Sequence, residues 1–235
     1  MMISFFDVDN VLFSVLGYPM SSLEFVGTLF NILCVWLVAR KSIWNWPVSI
    51  AAVILFGALF YQIRLYSDFI EQIYYLLTGI YGWFLWARLG KREQADGAPD
   101  SSITSMSTKE KLSTGVAIVF GTVVLGYFMA RIHVIFPAWF PEAASFPYLD
   151  AFTTAMSFAA QLLLVWKRFE NWYLWIVIDV IGVWLYFEKD VKFVSLLYLI
   201  FLILASKGLL TWRKAWKRNI ALAGVAPEGK EVGAV

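Results

Sequence analysis

Residues 41–46 read KSIWNW and residues 167–172 read KRFENW, and the relation between these two stretches decides the fold. An offset of 126 residues superimposes them, because each begins with lysine and ends with Asn-Trp. The same offset aligns further pairs: Glu24 with Asp150, Thr28 with Thr154, Asn31 with Ser157, Gln72 with Tyr198, Gly82 with Gly208 and Trp86 with Trp212. Recurrence of two tryptophans, an asparagine and a glycine at one fixed spacing indicates an internal repeat.

The composition excludes a soluble domain. Of the 235 residues, 60% are hydrophobic and 15% are charged, and the mean hydropathy is +0.69. A soluble domain carries about 45–50% apolar and about 25% charged residues. The single cysteine, Cys34, excludes a disulfide scaffold. The charged residues lie between apolar runs, which argues against nucleic-acid binding and for a chain embedded in lipid.

Seven apolar stretches are long enough to cross a membrane as helices, which takes about 20 residues each. They cover residues 22–40, 43–63, 69–89, 112–132, 149–166, 171–187 and 192–213. We therefore predict an all-α integral membrane protein with seven transmembrane helices. Each repeat holds three of them, and the unmatched helix 112–132 gives both repeats the same orientation. The predicted architecture is 3+1+3 with two parallel three-helix repeats, as in the SWEET transporters, and this internal symmetry favours transport.

The segments around these repeats complete the predicted organisation. We expect an N-terminal interfacial segment at 1–21, which forms a short helix on the membrane surface. The first repeat at 22–89 is followed by a flexible cytoplasmic loop at 90–111, and the linker helix with an external loop at 112–147 leads into the second repeat at 148–214. A disordered cytoplasmic tail follows at 215–235. Basic residues follow the first, third, fifth and seventh spans: Arg40, Lys41, Arg88, Lys91, Arg92, Lys109, Lys111, Lys167, Arg168, Arg213, Lys214, Lys217 and Arg218. The positive-inside rule then predicts an external N-terminus and a cytoplasmic C-terminus.

Asp179 is the most informative candidate for a functional site, because it falls near the middle of its span. An Asp there costs about 2.5–3.5 kcal/mol on insertion scales. It could attract a cationic ligand or relay a proton, or it could form a structural hydrogen bond to another helix. Trp175 lies one turn away on the same helical face, and an aromatic ring beside a carboxylate suits a flat cation.

The other candidates are polar and aromatic side chains on the same helical faces. The predicted substrate-binding residues are Gln161, Asn171, Trp172, Trp175, Asp179, Tyr186, Ser157, Gln72, Tyr75, Asn45, Trp46 and Tyr198. Trp46 also falls where an interfacial anchor is expected, and Ser157 where a hydroxyl could bond helix to helix. The sequence contains no phosphate-binding loop, nucleophile elbow or metal-ligand spacing, so we expect neither a cofactor nor a metal, and no enzyme.

Two sets of residues resemble the PnuC family of bacterial nicotinamide riboside transporters. In the first half they are Asn45-Trp46, Gln62, Leu65-Tyr66, Asp68, Gln72, Tyr81-Gly82-Trp83 and Trp86. In the second they are Asp150, Thr153-Thr154, Ser157, Gln161, Glu170-Asn171-Trp172, Trp175, Asp179 and Leu197-Tyr198. The resemblance covers about 22–214, and Pro47-Val48-Ser49 departs from the Pro-Leu-Gly expected after Asn-Trp.

This resemblance implies a multi-pass protein of the bacterial inner membrane that takes up nicotinamide riboside for NAD synthesis. Uptake would occur by facilitated diffusion, and phosphorylation in the cytoplasm would trap the product. The expected partners are this small molecule and membrane lipid, and the expected assembly is a homo-oligomer, with a trimer as the candidate state. Thiamine and riboflavin remain alternative substrates. A seven-helix photoreceptor using Lys207 and an intramembrane enzyme are more distant alternatives.

Overall fold

The computed structural model describes residues 6–8, 10–15, 17–62, 66–98, 100–137, 146–188 and 190–224. The elements in chain order are β1 (Val11–Val15), β2 (Tyr18–Ser21), α1 (Ser22–Ala39), α2 (Asn45–Gln62), α3 (Tyr66–Ala95), α4 (Thr108–Met129), α5 (Ile132–Ile135), α6 (Pro147–Val165), α7 (Asn171–Glu188) and α8 (Lys192–Gly224). In this part of the chain, five helices (α1, α2, α4, α6 and α8) are long and apolar enough to span a membrane. The all-α membrane class is therefore confirmed. The other two predicted spans fall in α3 and α7, which are not among these five.

Helices α1 and α6 end in the same way. After α1, the Lys41 amide donates to the Val38 carbonyl (2.8 Å) and the Ser42 amide to that of Leu37 (3.0 Å). After α6, Lys167 and Arg168 repeat both bonds, and the two lysines are left-handed, with φ of 62° and 52°. This is the Schellman arrangement that satisfies the last carbonyls of a helix. The two lysine stretches thus set the ends of equivalent helices.

Six helices pack in a closed ring. The neighbours around it are α1, α2, α3, α6, α7 and α8, and α8 contacts α1 again. Helix α4 packs against α6 and completes the long helices. We call the end of the ring where α1 and α6 terminate the clasped end. The opposite end, where the β1–β2 hairpin leads into α1, is the hairpin end.

Three predictions about the connecting segments were wrong. Within the N-terminal segment, Val11–Val15 and Tyr18–Ser21 pair as an antiparallel hairpin instead of forming a helix, and Gly17 between them adopts φ of 82°, which favours glycine. The segment 90–111 is not a free loop, since α3 runs to Ala95, α4 begins at Thr108, and Ile103 between them is only 2% exposed. Residues 215–224 continue helix α8, because Ala215 and Trp216 pack against the core.

Some predictions lie outside the described residues. These are the end of the second span at residue 63, Leu65, the external loop at 138–145, residues 1–5 of the N-terminal segment and residues 225–235 of the tail.

Candidate functional site

A row of four tryptophans crosses the ring at the clasped end. Trp46 of α2 meets Trp86 of α3 with ring centroids 5.4 Å apart, and Trp86 meets Trp212 of α8 at 5.8 Å. Trp212 in turn meets Trp172 of α7 at 5.8 Å. We call this row the tryptophan floor. It joins α2 to α7, which lie on opposite sides of the ring.

The floor is fixed to the remaining two helices by hydrogen bonds. The Trp86 indole Nε1 donates to the Val165 carbonyl at the end of α6 (3.1 Å). The Trp212 indole Nε1 donates to the Val38 carbonyl near the end of α1 (3.0 Å). Each bond therefore links one half of the chain to the other, and the pattern is nearly reciprocal.

Glycine makes room for the outer pair of indoles. A Cβ atom on Gly208 would lie 2.5 Å from Cζ2 of Trp172, which is closer than atoms can approach. Gly82 faces the Trp46 ring in the same manner. The glycines and tryptophans that align at the repeat offset are thus direct packing partners.

Four buried polar atoms beside the floor lack a hydrogen-bond partner among the described residues: Asn45 Oδ1, Trp46 Nε1, Asn171 Oδ1 and Trp172 Nε1. The amide nitrogens of the two asparagines are used, since they donate to the carbonyls of Ser42 and Arg168 at 2.6 Å. A buried unsatisfied group costs about 1–3 kcal/mol, so each half offers one donor and one acceptor at a cost in stability.

Residues 100–107, which we call the docked loop, cover the clasped end. Asp100 pairs with Lys41, and Lys167 Nζ donates to Ser102 Oγ (2.8 Å) and lies 3.4 Å from Glu93 Oε1. Glu170 Oε1 accepts from Ser105 Oγ (2.6 Å) and from the Met106 amide (3.0 Å). Burial lowers the pKa of the Lys167 ammonium, and the Glu93 carboxylate opposes this shift.

Polar side chains also join α3 and α6 inside the ring. Thr154 Oγ1 donates to Glu71 Oε1 at 3.0 Å, and Gln161 Nε2 lies 3.4 Å from Thr78 Oγ1. The Tyr74 hydroxyl donates to the Phe158 carbonyl at 2.8 Å. These bonds place Glu71 and Gln161 in the contact between the two halves.

Tyr198 stands at the centre of an aromatic and acidic group. Its ring stacks on Tyr186 with centroids 5.4 Å apart and planes at 16°. Asp179, Glu71 and Asp68 all lie close enough to interact with it electrostatically. Asp179 is 5% exposed, and no described residue forms a hydrogen bond or ion pair with its carboxylate. A buried carboxylate without a partner in the chain is available to a cation.

The hairpin contributes one aromatic side chain above this group. The Tyr18 hydroxyl donates to Glu24 Oε1 (2.7 Å), and its ring stacks on Phe193 with centroids 5.7 Å apart. Burial raises the pKa of the Tyr18 phenol, and the hydrogen bond to Glu24 adds to this. A cavity of about 270 Å³ lies beside it, lined by Val8, Val11, Tyr18, Pro19, Ser21, Glu24 and Leu59.

The predicted site residues fall into two groups. Tyr75, Ser157, Asp179, Tyr186 and Tyr198 gather around the stacked tyrosines, with the Tyr75 hydroxyl beside Ser157. Asn45, Trp46, Asn171 and Trp172 lie together at the tryptophan floor. Their roles in binding stay predictions.

The other three predicted residues lie apart from these groups or between them. Gln161 lies one turn from Ser157 toward the clasped end, and Trp175 packs against core residues of both regions. Gln72 faces α2 beside Gly57 and donates to the Asp68 carbonyl of its own helix.

Sequence reasoning missed Glu71 and Thr78. Both lie on the face of α3 that carries Tyr75, because residues at i, i+4 and i+7 share one side of a helix. Glu71 could have been found from the sequence, because it is an acidic residue within the predicted span 69–89. Over the described ranges, no group of three His, Cys, Asp or Glu side chains could hold a metal ion.

Comparison with known proteins gives a consistent result. A sequence model described as nicotinamide mononucleotide transporter matches residues 21–214. The nicotinamide riboside transporter PnuC of Escherichia coli K12 is 31% identical over 226 residues, covering 88% of this chain and 93% of that protein. The riboflavin/roseoflavin transporter RibM of Streptomyces davaonensis is 26% identical over 197 residues, covering 83% of this chain and 85% of RibM.

A solved structure agrees with these matches. The crystal structure of the vitamin B3 transporter PnuC superimposes with a TM-score of 0.64 at 25% identity, over 84% of this chain and 83% of that one. The family match, the identity along most of the chain and the shared fold all point to transport and not to enzymatic catalysis. The chain belongs to the PnuC family of membrane transporters, as the sequence resemblance predicted.

Proposed function

We propose that this chain takes up nicotinamide riboside by facilitated diffusion through a site at mid-membrane depth inside the helix ring. The observation that carries the proposal is the buried, unpartnered Asp179 carboxylate beside the stacked Tyr186 and Tyr198 rings. Named nicotinamide riboside transporters among the relatives, including the one from Escherichia coli, support the choice of substrate.

The chemistry of the substrate matches the groups available. Nicotinamide riboside carries a flat pyridinium cation, which suits stacking on Tyr186 or Tyr198 next to the Asp179 carboxylate. Its carboxamide and ribose hydroxyls need donors and acceptors, and the Gln161 amide supplies both. The unsatisfied Asn171 Oδ1 and Trp172 Nε1 lie nearer the clasped end, where they would gain partners only as substrate passes the tryptophan floor.

The proposed topology has seven spans in a 3+1+3 arrangement. Equivalent Schellman ends at Lys41 and Lys167, and equivalent tryptophan–glycine contacts, support two parallel repeats joined by α4. Most basic residues cluster at the clasped end, which supports a cytoplasmic clasped end, an external N-terminus and a cytoplasmic C-terminus in the bacterial inner membrane. A cysteine introduced next to Tyr18 should react with an impermeant maleimide in intact cells after Cys34→Ser, and one next to Lys214 should not.

A homo-oligomer, with a trimer as the candidate state, remains a prediction. Multi-angle light scattering of the protein in detergent, corrected for the micelle, measures the mass directly. A mass near the 26.9 kDa of one chain would contradict this prediction and leave the transport proposal intact.

Facilitated diffusion requires that the site open to each side in turn. The floor and the docked loop close the clasped end in this conformation, so the two halves must rock apart there to release substrate. Counterflow in proteoliposomes tests this: preloaded unlabelled nicotinamide riboside should accelerate uptake of labelled substrate without an ion gradient. Uptake that depends on a proton gradient would contradict it and give Asp179 the role of a proton relay.

Riboflavin is a second candidate substrate, because the relative RibM is named as its transporter. Thiamine is a third, because it is a flat cation like nicotinamide riboside and would fit the same groups. Titration calorimetry of the purified protein with nicotinamide riboside, thiamine and riboflavin in parallel separates these. Tight binding of nicotinamide riboside alone supports the proposal. Tight binding of riboflavin or thiamine alone would contradict the substrate and retain the transporter fold.

A further inference from the structure

We infer that Glu71 is a specificity-determining residue of the transport site, and that it acts with Asp179 to select permanently cationic substrates over neutral ones of the same shape. This inference rests on the proposed function and adds a residue to it. It concerns a carboxylate on α3, in the half of the chain opposite Asp179, which lies on α7.

The position of Glu71 is set by contacts across the ring. Its Oε1 accepts a hydrogen bond from Thr154 of α6 at 3.0 Å, so the carboxylate lies where α3 and α6 meet. It also interacts electrostatically with Tyr75 on its own helix and with Tyr198 of α8. A side chain on α3 that bonds to α6 and lies near Tyr198 of α8 faces the interior of the ring.

Asp179 supplies the independent observation that a ligand is expected here. It approaches Tyr198 from α7, it is 5% exposed, and it has no hydrogen-bond or ion-pair partner among the described residues. The two carboxylates therefore lie near Tyr198 on two different helices, α7 and α3. A group that costs stability in this way, beside stacked aromatic rings, is arranged for a bound cation.

The charge of this group is not balanced by the described part of the chain. The ion pairs of the described residues join lysines and arginines to other carboxylates, such as Lys41 to Asp100 and Lys167 to Glu93, and none of them includes Glu71, Asp68 or Asp179. A neutral substrate would leave the two interior carboxylates uncompensated. A pyridinium or thiazolium cation would compensate one of them directly.

The experiment compares two ligands that differ in charge and hardly in shape: nicotinamide riboside, a cation, and its reduced dihydropyridine form, which is neutral. Affinities for the full-length protein in detergent are measured by calorimetry for the wild type, Glu71→Gln and Thr154→Val. Gln keeps an acceptor for the Thr154 hydroxyl and removes only the charge. Thr154→Val keeps the charge and removes the hydrogen bond.

We expect Glu71→Gln to weaken binding of the cation about tenfold, while binding of the neutral form changes by less than about twofold. Thr154→Val should keep the preference of the wild type for the cation. An unchanged preference in Glu71→Gln, or an equal loss in Thr154→Val, would overturn the inference and leave the proposed function standing. A wild type that binds neither form would instead contradict the proposed substrate, and this inference with it. If Glu71→Gln does not fold, Glu71→Leu provides the same loss of charge.

Discussion

At the clasped end, interior charged side chains form ion pairs within the chain, whereas the interior carboxylates of Asp179 and Glu71, in the half of the ring toward the hairpin, form none with the described residues. Lys41, Lys167 and Glu170 each bind the docked loop or its flanks. Asp179 and Glu71 share no ion pair with any described residue, although both lie inside the helix ring. Ion pairs at the clasped end stabilise the closed conformation, whereas carboxylates without an ion pair are available to a ligand. The clasped end therefore closes the protein, and the half of the ring toward the hairpin recognises the substrate.

The largest expected effect follows from breaking the floor. Trp212→Ala removes an indole that is fully buried, packs on Trp86 and Trp172, and bonds the Val38 carbonyl. Truncation of a buried aromatic residue costs about 3–5 kcal/mol of unfolding free energy. Thermal unfolding in detergent, followed by fluorescence-detected size exclusion, should therefore show a strongly lowered midpoint.

Trp44→Ala provides the matched control, because Trp44 lies near the same end and is 68% exposed. Its unfolding midpoint should stay close to that of the wild type. Equal midpoints for the two variants would mean that the floor does not hold the clasped end together.

The next effect concerns recognition. Asp179→Asn should weaken nicotinamide riboside binding about 100-fold, because it removes a buried charge that faces the cation. The folded protein should be at least as stable as the wild type, since the unpartnered carboxylate costs stability. Calorimetry and thermal unfolding of the same preparation measure both quantities.

Glu188→Gln is the control for charge at a distance, since Glu188 ends the same helix and is exposed. Its affinity should match the wild type. If Asp179→Asn binds substrate as well as the wild type, Asp179 lies outside the binding site. The half of the ring toward the hairpin would then not be the region that recognises the substrate.

A smaller effect is expected from loosening the docked loop. Glu170→Gln keeps the side chain's length and weakens its bonds to Ser105 and the Met106 amide, as well as the 3.7 Å pair with Lys111. Hydrogen bonds to charged groups contribute about 1.5 kcal/mol each. We expect faster cleavage between residues 96 and 107 by proteinase K, which needs no basic residue, with substrate affinity retained; unchanged cleavage would show that Glu170 does not hold the loop.

The smallest effect concerns Tyr18 at the hairpin. Tyr18→Phe keeps the stacking on Phe193 and loses the bond to Glu24, at a cost of about 1 kcal/mol. Because the pKa of Tyr18 is raised in the folded protein, its contribution is complete below the ordinary phenol pKa of about 10 and declines as the pH rises above it. Unfolding midpoints from pH 8 to 11 should fall less steeply in the variant; identical slopes would refute this role.

Much of the helical framework could be predicted from the sequence because spans of apolar residues have a fixed minimum length. The sixth predicted span, 171–187, matches α7 (Asn171–Glu188), and the offset between the two Asn-Trp pairs identified equivalent helix starts. The hairpin and the docked loop were missed for a physical reason. Both are short segments whose structure depends on residues distant in sequence, such as Glu170 for the docked loop. The spacing of apolar residues within a segment does not reveal such contacts.

The candidate site could be predicted only in part. Asp179 stood out because a lone carboxylate within a span is expensive. The packing of Trp46 and Trp172 against Gly82 and Gly208 was not foreseen, since it requires close approach of helices that are separate in sequence. Glu71 was passed over because it adjoins Gln72 on the chain, and only the contact with Thr154 reveals which of the two faces the other half.

The tryptophan floor gives the protein an optical reporter of its own. Neighbouring indoles in the row lie 5.4 to 5.8 Å apart, close enough for their electronic transitions to couple and produce a paired signal in circular dichroism. Movement of α3 away from α8 would separate Trp86 from Trp212 and remove their share of that signal, while the pairs Trp46–Trp86 and Trp172–Trp212 stay together within each half. Opening of the clasped end during turnover could therefore be timed in the unlabelled protein, by its ultraviolet spectrum alone.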